Sequence, residues 1–115
     1  MDDTDLPLLR LVAAGDEHAF ELLYIRHAHA LLAYAEGLLR DRGAAEEALQ
    51  ETFIALWRSA RTYEGRSTVR TWLYGICRRQ ALKRMNGGRR ITQYTRYLTI
   101  GLAVLQSTAF VALAR

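Results

Sequence analysis

Two clusters of side chains in this sequence can do chemistry, and in both the chemistry is ionic recognition rather than bond making. Glu46, Glu47, Gln50 and Glu51 place three carboxylates and an amide within six residues. On a helix that spacing gives one acidic face, which suits an arginine-rich partner helix and sets orientation and encounter rate more than raw affinity. The second cluster is basic and aromatic: Arg61, Tyr63, Arg66, Ser67, Thr68, Arg70, Trp72, Tyr74, Arg78, Arg79, Lys83 and Arg84. Arginine and lysine neutralise phosphates, and aromatic rings offer planes on which unpaired bases stack. A helix start beside Arg66 adds backbone N–H groups for an anion.

Other chemistries find no footing. The sequence has no Gly-rich phosphate loop, no H-E-x-x-H and no G-x-S-x-G, so the chain is read as non-enzymatic and without a cofactor. Its carboxylates gather at a helix start, where they meet the helix dipole favourably. His27 and His29, two apart on a helix, point about 200° away from each other. No metal site is expected of them, and they read as partly exposed helix residues. Cys77 is the single cysteine, which agrees with a reducing cytoplasm. The opening residues MDDTDLP are acidic, unlike a secretory signal, so a cytoplasmic location is expected.

The elements that must position these clusters are helices. One proline in 115 residues, half of them hydrophobic, predicts one small all-α domain with a core. A short first helix is capped by Asp5 or Thr4, carries Pro7 in its first turn and stops at Gly15. Asp16 caps a second helix over 17–39, whose Phe20, Leu23, Tyr24, Leu31, Tyr34, Ala35 and Leu38 recur mostly three or four apart. Asp41-Arg42-Gly43 reads as a turn. A third helix starts at Ala44 and runs to about residue 60, with Leu49, Phe53, Leu56 and Trp57 behind the acids. A loop over 61–66 leads to a fourth helix, capped by Ser67 or Thr68 and ending near Met85. In it Leu73 and Ile76 read as core, while Trp72 fits core and base stacking equally. Asn86-Gly87-Gly88 breaks the helix.

Charge divides the chain. Residues 1–51 hold eleven Asp or Glu against four Arg, a net charge of −7, whereas residues 52–115 reach +11. Such asymmetry points to nucleic acid or an anionic membrane as partner of the second half. The expected domain therefore spans 1–85, followed by a Gly-rich junction at 86–88 and a basic lead-in with one apolar helix over 89–115. Residues 98–114 carry no charge, and as a helix they would span about 26 Å, a little short of a hydrocarbon core of about 30 Å. From the residues alone the chain reads as a small helical module that binds nucleic acid and docks a protein on its acidic face. A membrane-anchored interaction module and a DNA-binding domain without a further partner stay open beside it.

The stretches GDEHAFELLY, AEEALQETFIALW and YEGRSTVRTWLYGICRRQALKR together resemble region 2 of bacterial extracytoplasmic-function (ECF) sigma factors, over about residues 6–84. The resemblance implies a compact helical domain that docks on the clamp helices of the RNA polymerase β′ subunit. It also implies binding and melting of the minus-ten promoter element, with capture of its single non-template strand. Docking would fall to Glu47, Gln50 and Glu51, with Glu46 beside them, in the family's A-E-D-x-x-Q-E-x-F pattern; Glu47 stands for the usual Asp. The loop 63–68 corresponds to the segment that holds a flipped base, and Arg70, Trp72 and the residues from Arg78 onward to the DNA-facing helix. Two positions depart from the pattern: Gly75 stands where the family often has Arg, and Arg79 where many members carry a base-contacting Asn. An anti-sigma factor is a further partner of such proteins. Beyond Arg84 the sequence does not continue into region 4, the minus-thirty-five reader. Instead RRITQYTRYLTIGLAVLQSTAFVALAR resembles a cytoplasmic loop entering a transmembrane helix of the SecY translocase subunit. The expectation is a truncated or chimeric sigma fragment, with membrane contact through 98–114 left open.

Overall fold

Asp16 and Asp41 decide where the two long helices begin. The Asp16 carboxylate accepts from the Ala19 N–H at 2.9 Å, and α2 runs Glu17–Leu39. The Asp41 carboxylate accepts from the Ala44 N–H at 3.1 Å, and α3 runs Arg42–Ser59. Before them lies α1, Leu6–Ala13; after them a 3-10 turn, Ala60–Thr62, leads to α4, Val69–Asn86. These elements come from a computed structural model that describes residues 3–86. Gly15 separates α1 from α2 at φ +94°, a conformation that glycine adopts without strain. Asp16→Ala removes a side-chain cap and is expected to lower stability by about 1 kcal/mol, measured by urea denaturation.

The turn between α2 and α3 falls earlier than expected. Arg40, not Gly43, takes the left-handed conformation at φ 55°, and its N–H closes α2 on the Glu36 carbonyl at 2.8 Å. Once Asp41 caps, Arg42 and Gly43 become the first helical residues rather than turn residues. Arg42 then reaches Glu46 one turn on, at 3.1 Å. At the other end Asn86, expected to break α4, is its last residue.

α2 packs against all three other helices. Its Phe20, Leu23, Leu31 and Ala35 meet Leu9 and Val12 of α1, Phe53 and Leu56 of α3, and Val69, Leu73 and Cys77 of α4 in one core. The Phe53 ring stands edge-on to Phe20 and Tyr24, with centroids 6.0 and 4.9 Å apart. Leu73 and Ile76 are buried, as their spacing predicted. Burial pushes the Cys77 thiol up from its ordinary pKa, which disfavours the reactive thiolate.

His27 departs from its expected half-exposed place. It is 7% exposed, and its Nε2 lies 2.7 Å from the Asp5 carboxylate, which Arg26 also contacts. The pair ties the start of α1 to the middle of α2. His29 stays exposed. Among the described residues, no three metal-ligating side chains come together and no helix is long and apolar enough to cross a membrane. The apolar helix expected over 98–114, its basic lead-in and Gly87-Gly88 lie outside the described residues.

Candidate nucleic-acid interface

α4 is apolar inward and cationic outward because its buried positions recur at Val69, Leu73, Cys77 and Ala81. That period of four turns Arg70, Arg78, Arg79 and Lys83 to solvent. The Arg70 guanidinium lies over the Tyr74 ring, 5.6 Å from its centroid, and Tyr74 in turn packs edge-on against Tyr34 at 5.0 Å. A cation stacked on an aromatic face is held in place without losing its charge. The Arg79 guanidinium reaches back over Gly75, with Nη1 3.9 Å from where a Cβ on Gly75 would begin. One turn later along the helix, Arg79 thus brings a positive charge beside the position that lacks its own.

The loop before α4 is closed on itself. The Tyr63 hydroxyl donates to the Ser67 carbonyl, and the Tyr63 ring meets Trp72 edge-on at 5.2 Å. Trp72 is half-buried, so it serves packing while leaving an edge at the surface. Gly65 takes φ +75° at the loop's bend. Thr68 caps α4, its hydroxyl oxygen accepting from the Thr71 N–H at 3.2 Å; Ser67 does not cap, its hydroxyl donating to the Thr68 carbonyl. Arg66 is exposed and pairs with Glu64 at 3.1 Å. Between this loop and α1 lies a cleft of about 320 Å³, with Leu9, Ala13, Ala60 and Tyr63 on its walls and Arg10 and Arg61 at its side.

The acidic cluster of α3 splits in two. Glu46 and Glu51 are half-buried at the surface, but Glu47 and Gln50 are 3% and 9% exposed. Glu47 faces Arg84 of α4, Oε2 to Nε at 3.7 Å, an ion pair too long for a hydrogen bond. Arg84, grouped by sequence with the DNA-facing cations, is 9% exposed and donates to the Gln80 carbonyl at 3.0 Å. The reason is packing: α3 is covered by α2 on one side and α4 on the other, so its buried face is wider than a single apolar stripe. Burial drives the Glu47 carboxyl up to about 7, against the pull of Arg84. Gln50 Oε1 is buried without a hydrogen-bond partner among the described residues.

Comparison with known proteins finds relatives of this chain. Residues 23–91 match the sigma-70 region 2 family. The chain is 37% identical over 84 residues to the ECF RNA polymerase sigma factor SigK of a Mycobacterium species, covering 71% of this chain and 44% of that protein. It is 34% identical over 74 residues to the RNA polymerase sigma-H factor of Pseudomonas aeruginosa, covering 64% and 38%. To the RNA polymerase sigma factor NccH of Alcaligenes xylosoxydans xylosoxydans it is 32% identical over 94 residues, covering 82% and 48%. The chain spans less than half the length of these relatives. No solved structure matches it significantly. Nothing in these comparisons supports a SecY-like segment at 89–115. With the family match running over more than half of its residues and ECF sigma factors among its relatives, the chain belongs to the sigma-70 region 2 family.

Proposed function

We propose that this chain acts in transcription initiation, docking on the β′ clamp helices of RNA polymerase through α3 and holding the single non-template strand of the minus-ten element along α4. The observation that carries this reading is the segregation of partners by helix. Exposed Arg70, Arg78, Arg79 and Lys83 line α4, while the half-buried Glu46 and Glu51 of α3 keep an acidic surface of their own, with the buried Gln50 amide behind it. Phosphates are met by the α4 cations and by Arg61 and Arg66, and the half-exposed Tyr63–Trp72 pair offers ring edges and faces beside them. A base leaving the stack would enter the cleft between α1 and the 60–65 loop, whose apolar walls suit a flat heterocycle and whose lining also carries Arg10, Arg61 and Glu64. Extrusion costs a few kcal/mol of unstacking, which those contacts must offset. Arg79 takes over the charge of the absent side chain at Gly75, so backbone binding is retained while the preferred base is altered. Glu47 and Arg84 act from behind the surface, as a strut between the docking helix and the reading helix. Such a role belongs in the cytoplasm with the polymerase, and an anti-sigma factor would compete for the same α3 surface.

The test is binding of the full chain to a β′ clamp-helix fragment, followed by titration calorimetry. Gln50→Ala/Glu51→Arg is expected to weaken binding at least tenfold, because it removes the amide and reverses a charge facing a basic partner. Equal binding by the double variant defeats the docking assignment. Loss of clamp binding by the unaltered chain, with single-strand binding kept, favours a DNA-binding domain without a polymerase partner.

A further inference from the structure

One face of α1 lines the cleft beside the 3-10 turn, and it carries a cation that the DNA-facing set on α4 does not include. Leu6, Arg10 and Ala13 recur at helical spacing, and with Leu9 they form this wall. The roll of α1 is fixed by Leu9 and Val12, which are 1% and 2% exposed in the core, and it leaves Arg10 exposed. Ala60, Arg61 and Tyr63 line the opposite side. Arg10 is the one Arg or Lys ahead of Arg26, in a stretch that holds six Asp or Glu. None of those acids holds it. Among the described residues, neither Arg10 nor Arg61 makes an ion pair. Glu64 also lines the cleft, but its carboxylate meets Arg66 at 3.1 Å. α1 lies wholly ahead of residues 23–91, the segment matched by the sigma-70 region 2 family.

Two guanidiniums lining one cleft repel each other until an anion comes between them. The single acid of the lining is engaged by Arg66, so the complement is an anion from another molecule. Apolar walls below two cations fit a flat heterocycle joined to a phosphate, which is the chemistry of a nucleotide in a strand. Resting on the DNA-binding reading above, we propose that Arg10 is a further strand-binding residue, which with Arg61 clamps the phosphate beside the nucleotide whose base enters the cleft. α1 thereby joins the nucleic-acid interface. The path of the strand continues from α4 past the 3-10 turn to α1 instead of ending at the loop. Arg10 also lies in the last turn of α1, where a cation meets the helix dipole favourably. That second role acts on folding and leaves the salt dependence of DNA binding untouched.

Arg10→Gln removes the charge, and Arg10→Lys keeps it. In the full chain, binding of a fluorescein-labelled single-stranded oligodeoxynucleotide is read by anisotropy across a salt series, with urea denaturation confirming that each variant is folded. One phosphate contact on a single strand contributes about 0.7 to the slope of log K against log salt. Arg10→Gln should therefore make the slope shallower by about 0.7 and weaken binding about fivefold at about 0.1 M salt. Arg10→Lys should keep the slope. Arg58→Gln removes an exposed charge on α3 that is outside the cleft lining, and it should keep the slope as well. The Arg10 Nε–Hε resonance of the unaltered chain should shift as the oligonucleotide is added. An unchanged slope in folded Arg10→Gln, a loss matched by Arg58→Gln, or an unmoved Arg10 resonance overturns the clamp while the α4 reading stands. If the unaltered chain binds no oligonucleotide, the DNA-binding reading itself fails and the clamp falls with it.

Discussion

Arg84→Ala is expected to destabilise the domain by about 1 kcal/mol more at pH 8 than at pH 5, because at pH 8 it strips the partner from a buried carboxylate. Glu47 is 3% exposed and already carries a carboxyl raised from the usual 4.5 to about 7 with Arg84 in place. Removing the cation takes away the influence that lowers it, so the pKa rises further. A group whose folded-state pKa lies above its unfolded value binds its proton more tightly when folded. Stability is then full below about pH 4.5 and falls as pH rises towards the folded pKa. In the unaltered chain that window is roughly 4.5 to 7; in Arg84→Ala it extends upward. The loss caused by the substitution should therefore shrink between pH 8 and pH 5, where Glu47 is neutral in both proteins. Urea denaturation at the two pH values reads this directly, and a loss of the same size at both would mean that Arg84 acts through packing alone. Glu47→Leu/Arg84→Met should recover most of the stability, since replacing a whole buried pair leaves no charge behind.

Phe53→Ala is expected to cost about 3–5 kcal/mol, from lost transfer energy and the cavity left behind. Its ring is fully buried and meets Phe20 and Tyr24 edge-on, contacts that add about 0.5–1.5 kcal/mol each beyond burial. A small domain has a total stability of about 5–15 kcal/mol, so this one change removes a large share of it. Ile25→Ala, at a position 74% exposed on α2, is the control and should stay within about 0.5 kcal/mol. Similar losses for the two would show that the α2–α3 ring cluster does not carry the core.

The helices were legible where caps and apolar spacing agreed. Asp16, Phe20, Leu23 and Leu31 set α2 to the residue. The start of α3 was misread because Gly43 invites a turn, whereas the Asp41 carboxylate is the stronger local signal. His27 was misplaced although its signal was present: with Phe20, Leu23 and Leu31 it fills the one position of the core stripe that is not apolar. A buried histidine needs a partner, and nothing in the local sequence points to Asp5, 22 residues earlier. The same holds for Glu47 and Arg84. Each belongs by residue type to a surface cluster, and only the packing of α3 between two helices turns them inward. The outward cations of α4, by contrast, followed from its period of four. Side-chain type located the two clusters, but tertiary packing decided which members face solvent.

The Asp3–Val69 contact joins segments that lie 66 residues apart. In terms of cooperative units, the first turn of α4 is tied to the entry to α1 as well as to the loop that precedes it. Backbone protection at Val69 therefore reports on residues 3–5 and, through Asp5, on the middle of α2. Two sequence-distant stretches are thereby expected to share one local unfolding event, read by amide hydrogen exchange at Val69.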